Sequence, residues 1–108
     1  MKADFGQFDF LDGKLKEILS DLEEQTGVEF TMTSIYRIGD TGVHGTLPVR
    51  GVDLRMRSAS VGTEVVDLVN ERWGYDTERT EKSCAILHGE DSNMHLHIQS
   101  HPNTIRLY

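Results

Sequence analysis

The chain has 108 residues, 37% of them apolar, and a formal charge of −7 from 18 acidic and 11 basic side chains. That length makes one domain, residues 1–108, with a single modest core. The acid excess argues against nucleic acid and anionic membranes as partners, and no apolar run approaches the roughly 20 residues that span a bilayer.

Met1-Lys2-Ala3-Asp4-Phe5 lacks the basic-then-apolar layout of a secretory signal, so synthesis in the cytoplasm without a signal peptide is the expectation. Residues 1–12 place Phe5, Phe8 and Phe10 among polar neighbours and read as an arm across the body. Asp12 has the chemistry of a helix cap, with a helix from Lys14 to Gln25 behind it. Leu11, Leu15, Ile18, Leu19 and Leu22 recur at spacings of three and four and form one apolar stripe. Gly27 ends that helix. Val28-Glu29-Phe30-Thr31-Met32-Thr33 alternates with period two and predicts a strand. Residues 38–50 hold Gly39, Gly42, Gly45 and Pro48 and read as a long loop, of the kind that is usually functional in a compact domain.

Gly51 to Met56 predicts a second strand. Val61 to Trp73 puts Val61, Val65, Leu68, Val69 and Trp73 on one helical face, stopped by Gly74. Trp73 and Tyr75 are expected to cap the core. Ser83 to His88 reads as a third strand, Gly89 to Asn93 has turn composition, and Met94 to Ser100 is a fourth strand. The order predicts an α+β fold: a mostly antiparallel four-stranded sheet with two helices packed on one face. The one cysteine, Cys84, has no internal disulfide partner and marks no oxidising compartment. It reads as a small buried apolar residue; the other reading is a Cys84–His88 nucleophile pair.

Four of the five histidines (His88, His95, His97, His101) stand in the last 21 residues. Alternation in Met94-His95-Leu96-His97-Ile98-Gln99 puts both middle histidines on one strand face and sends Leu96 and Ile98 into the core. They are either the polar side of an edge strand or metal ligands. His88 lies across the turn from Met94 or His95, either lining the cleft or as a solvated hairpin residue, and His101 reads as surface. Asp53 is flanked by Val52 and Leu54 in a short apolar strand, where an unpartnered carboxylate is costly. A metal ion would serve as its partner, and so would Arg37, Arg50 or Arg55. Catalytic zinc commonly takes three nitrogen or oxygen ligands and keeps one position open. A hydrolytic site also needs a carboxylate outside the ligand set as base. Asp91 and Glu90, just before the His-x-His strand, are the candidates.

His44, then Arg50-Gly51-Val52-Asp53-Leu54, then Asp91-x-x-x-His95-x-His97, follow in that order. Together they resemble the zinc superfamily that unites D-Ala-D-Ala peptidases, lysostaphin-type endopeptidases and the hedgehog signalling domain. The resemblance runs from about Ser34 to Gln99, and the small phage and bacterial D-Ala-D-Ala carboxypeptidase-like members are the nearest in character. It implies the fold of that superfamily and one Zn2+ per chain, held by His44, Asp53 and His97. It implies further that His95 lies near the metal and assists the transition state, and that Asp91 is the general base. Thr33-Ser34-Ile35-Tyr36-Arg37 is similar to the strand-end Ser-x-Tyr-Arg of the D-Ala-D-Ala peptidase branch, which implies substrate contact by Arg37; a planar guanidinium suits a carbonyl or carboxylate. The interval from His44 to Asp53 is two residues longer than the family's usual one, and the extra loop length costs little.

The function so implied is zinc-dependent hydrolysis of peptide bonds in bacterial cell-wall stem peptides, of the D-Ala-D-Ala carboxypeptidase or L-Ala-D-Glu endopeptidase type. The partner is then a peptidoglycan peptide, with phage or prophage origin and action at the cell wall as accompanying expectations. A second reading is a zinc-binding structural or interaction module of the same fold without catalysis, as the hedgehog domain illustrates. A third is a non-haem iron oxygenase, whose two His and one carboxylate usually include a tight His-x-Asp pair. This sequence has no such pair.

Overall fold

A computed structural model describes residues 1–2, 9–36, 49–89 and 93–108. The first helix, α1 (Gly13–Thr26), starts where Asp12 accepts from the backbone N–H groups of Lys14 and Leu15 at 3.1 and 3.3 Å. Two of the orphan donors of the first turn are thereby satisfied. It ends at Gly27, which adopts the left-handed conformation (φ 68°) and donates to the Glu23 carbonyl. Leu15, Ile18, Leu19 and Leu22 are buried, as their spacing predicts.

The first strand, β1 (Met32–Tyr36), begins later than the expected Val28–Thr33. Phe30 and Met32 are buried, so the alternation is real. Around Phe30, however, backbone bonds also go to the N-terminal arm: Lys2 N–H to the Phe30 carbonyl, and Met32 N–H to the Lys2 carbonyl. The strand β2 (Gly51–Arg55) follows, then α2 (Ala59–Arg72), capped by Ser58, whose hydroxyl accepts from Val61 N–H. The buried stripe of α2 runs through Gly62, Val65 and Val69, and Val61 stands outside it, half exposed. Trp73 leaves the helix and with Gly74 forms β3 (Trp73–Gly74). Two longer strands, β4 (Ala85–His88) and β5 (His95–Gln99), precede the short β6 (Ile105–Arg106). β3 and β6 pair as a two-stranded ribbon that strand patterning did not predict, because two residues carry no period. No helix among the described residues is long and apolar enough to cross a membrane.

The main sheet has the order β1-β2-β5-β4, with every neighbouring pair antiparallel. Val52 pairs with Ile98, Leu54 with Leu96, and Ala85 with Ile98 across the strands. These side chains join the stripes of α1 and α2 in one apolar cluster. The fold is therefore α+β, with both helices served by one face of the sheet. Asn70 on α2 pins the edge strand β4 by bonding both the N–H and the carbonyl of Ala85, each at 3.0 Å. The helices are tied by Asp21 on α1, which accepts from Arg72 Nε (2.7 Å) and Nη2 (2.8 Å) and from Trp73 Nε1 (3.0 Å). Trp73 and Tyr75 are buried in the core as expected. Cys84 is also fully buried, which pushes its thiol up to about 12; it packs rather than reacts.

Candidate metal centre

With one face of the sheet given to the helices, strand alternation sends the other set of side chains to the opposite face. Asp53 on β2 pairs with His97 on β5, which pairs in turn with Ile86 on β4. One pleat along, Arg55 pairs with His95, which pairs with His88. Cross-strand partners share a face, so Asp53, His88, His95 and His97 converge there, with Gln99 beyond them. Asp53 is only 4% exposed. His95 Nε2 lies 3.5 Å from its Oδ2 and His97 Nδ1 lies 3.1 Å from its Oδ1. The His88 ring sits 4.4 Å from that of His95, centre to centre.

The outer nitrogens of both imidazoles are fixed by oxygen acceptors. His95 Nδ1 stands 3.0 Å from the Asn93 carbonyl, which can only accept, so the ring's proton belongs on Nδ1. The Gln99 amide donates from Nε2 to the Ser83 carbonyl at 2.8 Å, which turns its Oε1 towards His97 Nε2 at 3.2 Å. The proton of His97 then belongs on Nε2. In these tautomers, assigned from the network, both lone-pair nitrogens face Asp53. An imidazole lone pair and a carboxylate oxygen repel unless a proton or a cation stands between them. Metal-ligating histidines typically carry this kind of support on the far nitrogen. Asp53, His88 and His95 each place a donor atom within 4.8 Å of the other two, so this group could hold a metal ion.

Of the candidates for a metal or its chemistry, Asp53, His95 and His97 are brought together here. His44, Arg37, Asp91 and Glu90 lie outside the described residues, so the set His44, Asp53, His97 is placed only in part. Arg50, one of the cations weighed as a partner for Asp53, instead reaches Asp12 with Nη1 at 3.4 Å. His101 is elsewhere: its Nδ1 accepts from Asn103 N–H, and its ring packs on Tyr75. Of the other contributors, His88 was open as a cleft or hairpin residue, and Gln99 escaped sequence reasoning. His88 enters through the register of β4 against β5, and Gln99 through its bond to His97. A Gln two residues after a candidate ligand, on the same strand face, was the available signal for Gln99. The chain matches no family model, no curated protein and no solved structure.

Proposed function

We propose that the chain is a zinc-dependent peptidase that hydrolyses peptide bonds in the stem peptides of bacterial peptidoglycan. The observation that carries this reading is Asp53, nearly buried, with each carboxylate oxygen opposite an imidazole nitrogen, Nε2 of His95 and Nδ1 of His97. One carboxylate and neutral imidazoles are a donor set that suits zinc. Asp53 and His97 would hold the ion together with His44, the third ligand implied by the superfamily resemblance. When bound, zinc supplies Lewis acidity: it polarises the scissile carbonyl and brings the pKa of a coordinated water towards neutrality.

The chain's own groups then divide the remaining work. Gln99 holds the His97 ring in the tautomer that leaves Nδ1 for the metal. His95 has its Nδ1–H committed to the Asn93 carbonyl, so Nε2 is the atom it offers to the reaction. A proton or a cation held at that nitrogen would steady negative charge on the carbonyl oxygen. The resemblance adds Asp91 as general base and Arg37 as the group that recognises a substrate carbonyl or carboxylate. Ile86 stands 41% exposed next to His97 in the pleat, an apolar contact for a peptide side chain.

The test is digestion of purified peptidoglycan by the zinc-loaded protein, with products identified by mass spectrometry. Released D-Ala or stem-peptide fragments are expected, lost with chelator and restored by zinc. Asp91→Asn should keep its zinc and lose about 10²–10⁴-fold in rate, the usual contribution of a general base. Full zinc occupancy with no product from any wall peptide would reject the peptidase and leave the silent zinc module.

A further inference from the structure

The two oxygens of Asp53 do not serve one cluster of nitrogens. Oδ1 faces His97 Nδ1, whereas Oδ2 faces His95 Nε2, and His88 stands beside His95 on the edge strand. The three-donor group that could hold an ion consists of Asp53, His88 and His95, and His97 is outside it. The ring of His88 lies closer to His95 (4.4 Å) than to His97 (5.7 Å). Among the described residues, the sheet face therefore presents one three-donor set and, sharing its carboxylate, the Asp53–His97 pair. Carboxylates that offer one oxygen to each of two ions are the ordinary bridge of paired-metal sites, and imidazole nitrogens complete such sets with zinc or cobalt.

We infer that the chain binds a second divalent cation of the zinc or cobalt type at Asp53 Oδ2, His95 and His88, with Asp53 bridging it to the ion held on the His97 side. The inference rests on the zinc reading above, since it places a second ion beside the first. The second site is the weaker one. His88 is solvent-exposed, so its imidazole gives up full hydration and side-chain freedom on binding.

Zinc titration of the chelator-stripped full chain tests this by calorimetry, with bound metal counted after gel filtration. Wild type is expected to take one tight and one weaker equivalent. His88→Ala and His88→Gln should keep the first and weaken the second by at least about tenfold, the lower end of what even outer-shell partners contribute. Circular dichroism checks that both variants fold. Cobalt supplies an independent readout: two ions sharing a carboxylate couple magnetically, so the two-cobalt protein should give a weaker paramagnetic resonance signal per ion than the one-cobalt form. Saturation of wild type at one equivalent, unchanged by His88 substitution, overturns the second site and leaves the zinc reading intact. One equivalent that vanishes in both His88 variants also overturns it, and moves the single ion to Asp53, His88 and His95. Two equivalents insensitive to His88, or two uncoupled cobalts, mean adventitious surface binding. No binding at all would reject the zinc reading along with the inference.

Discussion

At the scale of single residues, the candidate metal centre depends on protons being in particular places. Gln99 fixes the proton of His97 on Nε2, and its own amide is oriented by the Ser83 carbonyl. Gln99→Leu removes that acceptor while keeping the volume similar. Zinc affinity should fall by about 10–100-fold, as when other outer-shell partners of ligating histidines are lost. Nitrogen chemical shifts of His97 should show the apo ring moving towards a mixture of tautomers; an unchanged spectrum would refute the assignment. Cys84 makes a simpler case. Its thiol is fully buried and pushed up to about 12, so native protein should resist iodoacetamide at neutral pH and react promptly once unfolded in denaturant. Asp53 and the His-x-His pair were legible in the sequence because each breaks or exploits a strand's alternation. For His88 the sequence left a cleft position and a solvated hairpin position both open, since its place depends on pairing with His95 across a turn whose composition leaves the register open.

The apolar spacing in α1 and the caps at Asp12 and Gly27 were readable because they are local. The start of β1 was not, since Phe30 and Met32 bond to Lys2, some thirty residues away in the chain. The junction of the helices was equally hidden. Asp21 falls between Leu19 and Leu22 on α1, and only the folded chain brings Arg72 and Trp73 to it. Hydrogen bonds from Arg72, ahead of those from Trp73, hold the Asp21 carboxyl below its ordinary value of 3.8. A carboxylate with a depressed folded pKa adds stability above its unfolded value and loses it as pH falls through the folded one. Asp21→Asn should therefore destabilise the protein at neutral pH by about 2 kcal/mol, the worth of a charge-assisted hydrogen bond. The gap to wild type should narrow below about pH 4, where the unfolded carboxyl protonates. Thermal melts of both proteins from pH 2 to 7 check the sign, and a constant gap would contradict it.

For the whole molecule, binding of a metal at this site would be coupled to folding, because the donors meet only in the assembled sheet. If free zinc stands at 1,000 times its dissociation constant, mass action adds about 4 kcal/mol to the folded state. For a domain near 100 residues, each kcal/mol moves the melting temperature by about 4–8 °C. Chelator should therefore lower the transition by tens of degrees at such loading, and by nothing in Asp53→Ala. The two faces of the sheet also stand in a fixed relation. Leu96 and Ile98 are fully buried, and His95 and His97 are their neighbours in sequence. A slip of β5 by one residue would drive both imidazoles into the core and turn both aliphatic chains out to water. The grease on one side of the strand thus proofreads the chemistry on the other, without any contact between them. It also leaves the polar side open to change: outside the buried Asp53, side chains there can be exchanged while the packed side keeps the chain folded.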